Sequence, residues 1–377
     1  MLLALTEDQQ MLRDVAADFV AARLPVKRSR DLRMRHVESG FQREAWKEMA
    51  SLGWAGIPIP EAFGGAGLGF AEIVVVMEAL GRTLAPEPFL SSVLLGAMTI
   101  VRQGTDVQRA DLLPRICAGE LLVAFAHEES SMDRTQNIQT VAEPDGSGWR
   151  LSGTKLRVLD ASTADQLMVS AQLPNKQAGN PSLFLVPAGS SGVFIAPFAR
   201  VDSRNVATIT LNNVHVDADG LIGHRETTDA LIEELFDYAT IGVCAETLGL
   251  MSAAFDSTLE HLRTRIQFDV PIGSFQALQH RAAICFVKIE LARSLVMAAA
   301  RKLDEDPLNA ARFVSAAKAC CSDAAVLVTN EALQMHGGMG MTDECDIGLY
   351  VKRARAAAHC FGDSDWHRAR FALLSGF

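Results

Sequence analysis

Hydrophobic residues in the first third of the chain recur at helical spacing. Thr6 and Gln9 fit a capping box that begins a helix, and the apolar repeat behind them ends at Pro25. Further helix-like segments lie at 41–51, 70–83, 88–103 and 106–118. A loop with the sequence PIPEAFGG interrupts them at 58–65. Since helical periodicity dominates throughout, residues 1–118 are predicted to form a helical N-terminal domain.

The pattern changes at Leu121, where short β-rich runs replace the helical repeat. These runs are separated by Gly, Asn, Asp and Pro, and they lie at 121–127, 149–158, 166–172, 182–186, 193–198 and 207–216. Short strands at this spacing are typical of a small antiparallel barrel or sandwich. Residues 119–222 are therefore predicted to form a middle β domain.

Helical periodicity returns after Gly223 and continues to the end of the sequence. In the stretch 275–302, apolar residues alternate by four and three, as in a bundle helix, at Leu278, Ala282, Cys285, Ile289, Ala292 and Val296. Residues 223–377 are predicted to form a C-terminal four-helix bundle. The fold class of the whole chain is then α+β.

Composition narrows the possible roles. The 377 residues are 49% hydrophobic and 21% charged, as in a globular protein with more than one packed unit. The formal charge of −10 argues against a nucleic-acid surface. No apolar run has the length of a membrane span, and residues 1–20 do not resemble a signal peptide, so a cytoplasmic location is expected. The seven cysteines lack metal-binding spacing, so we expect reduced thiols and no metal site.

The most informative stretch runs from Leu333 to Arg368. Three glycines, Gly337, Gly338 and Gly340, follow a helix-like run, where a backbone without Cβ atoms can approach a ligand closely. Taken alone, such glycines most often mark a helix C-cap and a loop. A basic helix at 347–359 then leads into a turn rich in carboxylates at 360–365.

This stretch resembles the C-terminal signature of flavin-dependent acyl-CoA dehydrogenases. The residues in register are Gln334, Gly337, Gly338, Gly340, Glu344 and the stretch from Arg353 to Arg355. The loop at 58–65 resembles the family's P-E-x-[YF]-G-G. Residues 265–281 resemble the small subunit of pimeloyl-CoA dehydrogenase and similar proteins from heteromeric enzymes.

The resemblance covers nearly the whole chain and agrees with the predicted order of helices, strands and helices. It implies the acyl-CoA dehydrogenase fold, FAD as the cofactor, and α,β-dehydrogenation of an acyl-CoA thioester. It also implies an electron-transfer flavoprotein or similar acceptor as a partner. The expected assembly is a homo-oligomer or a heterotetramer with a catalytic acyl-CoA dehydrogenase subunit.

The catalytic base is the point at which this sequence departs from the family. The resemblance places the family's glutamate at Phe361, and the alternative position used by some members at Ala239. Neither side chain can accept a proton. Glu246 and Asp363 are the remaining candidates, with Asp365 in the same turn. A buried acid such as Glu246 is more often a structural partner than a base.

FAD contacts are implied by resemblance at two segments. The residues by which a subunit is expected to reach its neighbour's FAD are Arg265, Gln267, Phe268 and Gln276. The residues expected to lie along the adenosine half of FAD are Gln334, Met335, Gly337 and Gly338. An arginine on a diphosphate makes a charge-assisted and potentially bidentate contact. The alternative for Arg265 is an ordinary surface arginine.

The residues expected to line the chain's own flavin site match the family pattern less well. Phe125 retains an aromatic ring, but His127 and Glu128 replace the usual small or hydroxyl residues. Arg157 and Leu159 stand where the family packs an aromatic and a hydroxyl against the flavin ring.

The residues expected to contact the substrate also match the family only in part. Phe236 and Asp237 are kept, whereas Thr240 replaces an arginine that often anchors the acyl-CoA.

Two functions remain open from the sequence. One is an FAD enzyme that oxidises an acyl-CoA as a subunit of a heteromer and lacks the usual glutamate. The other is a non-catalytic partner subunit that completes the FAD site of a catalytic chain. A third hypothesis, a helical scaffold that binds no flavin, is disfavoured because it gives the cross-subunit residues no role. The resemblance suggests a dicarboxylic or other bulky acyl group, steroid side chains included.

Overall fold

The computed structural model describes residues 4–34, 40–130, 138–174, 181–223 and 228–377. The helices within these residues are α1 (Glu7–Arg23), α2 (Val26–Met34), α3 (Arg43–Ser51), α4 (Phe70–Arg82), α5 (Met98–Gln103), α6 (Asp106–Cys117), α7 (Thr228–Thr264), α8 (Gln276–Glu305), α9 (Ala311–His336), α10 (Ile347–His359) and α11 (Ser364–Leu374). The strands are β1 (Val123–Ala126), β2 (Val141–Asp145), β3 (Gly148–Leu159), β4 (Gln166–Ala171), β5 (Ser182–Pro187), β6 (Val193–Pro197), β7 (Val206–Val216), β8 (Leu221–Ile222), β9 (Ile266–Gln267) and β10 (Val270–Pro271).

Most predicted elements are present. The capping box at α1 forms as expected, with Thr6 Oγ1 accepting from Gln9 N at 3.2 Å and Gln9 Oε1 accepting from Thr6 N at 3.1 Å. The predicted helix at 88–103 is instead a π-helical segment, Phe89–Ala97, followed by α5. On the wider turns of this segment, the Ser91 hydroxyl donates to the Asp160 carboxylate, and the Ser92 hydroxyl accepts from the backbone N–H of Val123.

The chain divides into two compact units. The helical unit contains residues 1–31, 69–85 and 239–377, and the β unit contains residues 32–68 and 86–238. In the helical unit, α9 packs against α8, α10 and α11, so it forms the centre of the C-terminal helices. The predicted domain boundaries at 118 and 222 stay predictions, since the compact units cut the chain at other positions.

The β unit contains a sandwich of two four-stranded sheets. The strand orders are β1-β4-β5-β8 and β2-β3-β7-β6. Buried side chains from both sheets, such as Leu151, Leu167 and Ile209, pack in one hydrophobic cluster. One pair departs from the antiparallel prediction, because β1 and β4 run parallel. Between them the chain passes through β2 and β3 of the other sheet, and this long connection allows a parallel pair.

Two glycines let α4 and α7 cross at backbone contact in the helical unit. A Cβ atom on Gly81 would lie 2.0 Å from the carbonyl oxygen of Glu246, and one on Gly249 would lie 1.9 Å from that of Glu78. The close crossing places Glu246 deep between the helices.

Helix α7 is also long and apolar enough to cross a membrane by length and composition alone, the one such helix among the described residues. However, 89% of its apolar window is buried within the protein, as in a core helix.

Helix α8 is apolar on more than one face. The predicted bundle seam, including Cys285, Ile289 and Val296, is buried within the chain. A second stripe, Ile284, Val287 and Leu291, lies at helical spacing and stays about half exposed. The sequence analysis identified the first stripe and missed the second.

Candidate active site

The turn that carries the family's base position is held by two buried side chains from neighbouring helices. Lys318 of α9 donates to the carbonyl oxygens of Ala357 and Ala358, at 2.9 and 3.0 Å, and so caps the C-terminal end of α10. His367 of α11 donates from Nε2 to the carbonyl oxygen of Phe361 at 2.9 Å. The sequence analysis did not identify either residue.

The two expected base positions contain no acid. Phe361 is buried, and its backbone adopts a positive φ of 55°, followed by Gly362 at 100°. Ala239 is fully buried on α7. The backbone of this turn is therefore held in place, but the side chain at the family's base position, Phe361, is a phenyl ring.

Glu246 forms a buried ion pair with Arg353 of α10. The Oε1 atom of Glu246 lies 2.5 Å from Nη1 of Arg353, and the two side chains are 4% and 6% exposed. In a buried ion pair, each side chain supplies the counter-charge that the other needs away from water. This geometry corresponds to the structural alternative for Glu246 that the sequence left open.

Asp363 caps the N-terminus of α11. Its Oδ1 atom accepts from the backbone N–H of Trp366 at 2.9 Å. This hydrogen bond is the main cause that lowers the pKa of Asp363 below its usual value. The side chain is exposed, and an acid with a lowered pKa is a weaker proton acceptor. Its neighbour Asp365 is exposed as well and pairs with Arg368 at 2.9 Å.

The segment expected to reach a neighbour's FAD projects as an exposed arm. Strands β9 and β10 form a short hairpin whose two turn residues, Phe268 and Asp269, both have positive φ. Phe268 is 86% exposed, and its ring makes an edge contact with Phe275 at 6.2 Å. A bulky residue with positive φ at an exposed tip is a strained conformation of the kind that recurs at binding sites. Arg265, Gln267 and Gln276 are exposed on the same arm.

The second segment follows the C-terminal end of α9. Gln334, Gly337 and Gly338 are exposed, and a Cβ atom on either glycine would meet no atom within 4 Å. Met335 is buried, so its side chain does not belong to this open strip.

An ion pair occupies the wall expected for the chain's own flavin ring. A β-bulge in β3 between Lys155 and Val158 includes Arg157, whose φ is 52°. Arg157 bonds to Glu128 at 2.8 Å and donates to the carbonyl oxygen of Ser130 at 2.6 Å. Two of the residues that replace the family's expected flavin contacts, Arg157 and Glu128, thus bind one another.

A buried polar network lies next to this pair. The Nζ atom of Lys155 is 2.6 Å from Glu129 Oε1 and 3.0 Å from Ser170 Oγ, and Ser170 Oγ is 3.0 Å from His127 Nδ1. Burial lowers the pKa of Lys155 to about 8. Burial alone would raise the pKa of Glu129, but the charge and hydrogen bond of Lys155, with further bonds from Thr140 and Gln139, lower it overall.

Three aromatic side chains meet in the β unit. Phe125 of β1 makes an edge contact with Phe236 of α7 at 6.1 Å, and His127 contacts Phe236 at 5.4 Å. Asp237 and Thr240 are buried, so neither one offers an exposed anchor for an acyl-CoA.

Among the described residues, no group of three or more His, Cys, Asp and Glu side chains is placed to hold a metal ion. None of the seven cysteines, all of which lie in the described ranges, forms a disulfide.

Comparison with known proteins identifies the family. Residues 6–120 match "Acyl-CoA dehydrogenase, N-terminal domain", and residues 230–372 match "Acyl-CoA dehydrogenase, C-terminal domain". The acyl-CoA dehydrogenase FadE12 of Mycobacterium tuberculosis is 30% identical over 364 residues, or 93% of this chain and 92% of the relative. The chain belongs to the acyl-CoA dehydrogenase family.

Solved structures of acyl-CoA dehydrogenases share its fold. A chain of the ChsE4–ChsE5 complex from Mycobacterium tuberculosis superimposes with a TM-score of 0.89 at 29% identity, covering 100% of this chain and 99% of that one. A chain of the Tcur3481–Tcur3483 steroid ACAD variant gives 0.87 at 30% identity, covering 98% of both. The expected acyl-CoA dehydrogenase fold, with a β-sheet domain between two helical domains, is confirmed.

Acyl-CoA dehydrogenases bind FAD and act on CH–CH groups. In this chain, one set of the residues expected to contact FAD fits such a group and another does not. The exposed arm with Arg265, together with the open glycines 337 and 338, fits the approach of a diphosphate, since it offers a guanidinium and unobstructed backbone. The Arg157–Glu128 pair does not fit as a wall for a flat, uncharged ring.

Proposed function

We propose that this chain is the subunit of a heteromeric acyl-CoA dehydrogenase that lacks the usual catalytic glutamate. Its arm and glycine strip complete the FAD site of a catalytic chain, which performs the α,β-dehydrogenation. The observation that carries the proposal is what occupies the two family base positions and how the two alternative acids are bonded. Phe361 and Ala239 fill the family positions, while Glu246 and Asp363 are engaged in a buried ion pair and a helix cap.

The pattern of kept and lost residues supports this role. Arg265, Gln267 and Phe268 are exposed on or beside the β9–β10 hairpin, where another chain could contact them. Residues that would serve the chain's own flavin ring are instead paired with one another, as Arg157 is with Glu128.

The exposed stripe on α8 supports an assembly through the C-terminal helices. Ile284, Val287 and Leu291 lie on one face and are each about half exposed. A contiguous apolar helix face of this kind marks an interaction surface. We propose a heterotetramer in which this stripe packs against the equivalent helices of other subunits.

The substrate we propose is a bulky or dicarboxylic acyl-CoA. Of the two similar structures described above, one is named as a steroid ACAD, which supports a bulky substrate, and both are named as pairs of chains, which supports a heteromer. An electron-transfer flavoprotein or similar acceptor would reoxidise the flavin. A cytoplasmic location is part of the same proposal.

Co-expression tests the proposal directly. The chain is produced alone and, in parallel, with each glutamate-bearing acyl-CoA dehydrogenase chain of its source organism. Flavin absorbance and turnover of CoA thioesters with an artificial electron acceptor are then measured. We expect the chain alone to be slower by about 10² to 10⁴, the usual contribution of a general base. Ordinary turnover by the chain alone would refute the partner role.

A further inference from the structure

A pocket of about 590 Å³ lies between α1, α4 and α8 in the helical unit. Its volume is within the range of small-molecule binding sites, about 300–1,000 Å³. The described residues that line it include none of those related above to the catalytic base, to FAD or to the acyl-CoA. The pocket therefore has no role in the proposed function.

Small side chains create the space between the three helices. Ala17 of α1, Ala79 of α4 and Ser294 of α8 all line the pocket, where longer side chains would close the gap. Val75 of α4 and Met297 of α8 also line it, and both are buried, so they form an apolar inner wall. Such a wall favours an aliphatic ligand, because contact with it removes apolar surface from water.

Charged side chains line the same pocket. Among the described residues these are Arg13, Arg82, Arg293, Glu78 and Glu290. Arg293 binds both glutamates, with 2.5 Å between its Nη1 atom and Oε1 of Glu78 and 3.2 Å between its Nε atom and Oε1 of Glu290. Three positive charges thus face two negative charges, and both negative charges are held by one arginine.

The other two arginines are available to an anion. Arg13 pairs with Asp14 at 2.9 Å, and Arg82 pairs with Asp256 at 2.7 Å, and neither aspartate is among the described residues that line the pocket. Each of these four side chains is at least 40% exposed. Surface ion pairs of this kind contribute little free energy, so an anionic ligand can compete for both guanidiniums.

We propose that this pocket binds an aliphatic carboxylate, with the hydrocarbon on the inner wall and the carboxylate at the guanidiniums of Arg13 and Arg82. A guanidinium suits this head group because it donates two parallel hydrogen bonds to a carboxylate. An alcohol of the same length has no charge for the arginines to bind, and an amine of the same length is repelled by them.

Octanoate, 1-octanol and octylamine test the proposal on the purified full chain. Their binding at neutral pH is measured by NMR titration at low and high salt. We expect octanoate to occupy one site per chain and to bind less well at high salt. We expect 1-octanol to bind at least about tenfold more weakly than octanoate, because it lacks the charge-assisted hydrogen bonds, and octylamine to bind more weakly still.

Replacing both mouth arginines tests the head group. The double variant Arg13→Gln, Arg82→Gln should lower the affinity for octanoate by about tenfold and leave that for 1-octanol unchanged. Arg23→Gln is the control, because Arg23 is exposed at the end of α1 and is not among the residues that line the pocket. Equal affinity of the wild type for octanoate and 1-octanol would overturn the proposal.

Filling the pocket tests the place of binding. Ala17 is exposed, so Ala17→Phe adds its ring without overpacking the core, and it should remove the binding of both octanoate and 1-octanol. Ala21→Phe, one turn further along α1 and outside the lining, should behave as the wild type. Octanoate binding that survives Ala17→Phe, or no octanoate binding to the wild type, would also overturn the proposal. The co-expression experiment tests the proposed function separately, since neither variant changes a residue on which that function rests.

Discussion

Glu246 and Arg353 join α7 to α10 through an ion pair that is almost completely removed from water, with 2.5 Å between Oε1 and Nη1. The pair lies at the point where α4 and α7 cross at backbone contact. The pair gives the lone acid on an otherwise apolar helix face a charged partner within the helical unit.

Glu246→Gln should destabilise the protein strongly, because it leaves the Arg353 charge buried without its counter-charge. Breaking such a pair typically costs about 3–5 kcal/mol, which urea unfolding would measure. Asp256→Asn is the matched control, since Asp256 pairs with Arg82 at the surface and should change stability by less than about 1 kcal/mol. A stable Glu246→Gln protein that has lost only turnover would instead identify Glu246 as a base.

Lys155 should give the protein an unusual increase in stability at alkaline pH. Burial lowers the pKa of Lys155 from 10.5 to about 8, so the unfolded chain binds more protons than the folded chain between these values. The contribution of Lys155 to the free energy of unfolding therefore increases by about 3 kcal/mol as the pH rises from about 8 to 10.5. The difference in unfolding free energy between wild type and Lys155→Met, measured across this range, isolates the effect. A pH-independent difference would contradict it.

Gly249→Ala should destabilise the chain, although alanine normally favours a helix by about 1 kcal/mol over glycine. The added Cβ would lie 1.9 Å from the carbonyl oxygen of Glu78, so α4 and α7 must separate, at a cost of about 1–3 kcal/mol. Gly348→Ala in α10 is the control, because its nearest atom is 3.9 Å away, and it should be neutral or stabilising. Equal effects of both variants on the melting temperature would refute the close crossing.

Arg265→Ala should weaken retention of FAD by the assembly, by about 1.5–3 kcal/mol, the usual contribution of a hydrogen bond to a charged group. The loss would appear as faster release of fluorescent flavin after dilution. Arg263→Ala, two residues earlier on the same exposed helix end, should leave the release rate unchanged. If both variants release flavin like the wild type, Arg265 does not face the diphosphate.

Phe361→Glu should remain inactive when the chain is expressed alone. The turn itself is intact, because Lys318 and His367 hold its backbone, so the new carboxylate would stand at the family position. The wall at Arg157 and Glu128 would still not fit a flavin ring. Turnover of a CoA thioester by this variant with an artificial electron acceptor would show that only the base is missing.

The sequence by itself determined the family, the order of helical and β segments, and the absence of an acid at Phe361 and Ala239. These properties are local or lie in gapless motifs, so periodicity and register reveal them. The capping box of α1 and the helix at 347–359 are examples in which local chemistry sufficed.

Tertiary structure alone decided how the remaining polar groups are used. The partners Glu246 and Arg353 are separated by 107 positions, and Lys318 reaches carbonyl groups 39 and 40 residues away. Such pairings depend on how helices cross, and no local pattern encodes them. The same holds for the parallel pair of β1 and β4, the exposed stripe of α8 and the pocket between α1, α4 and α8, because each follows from packing between segments distant in sequence.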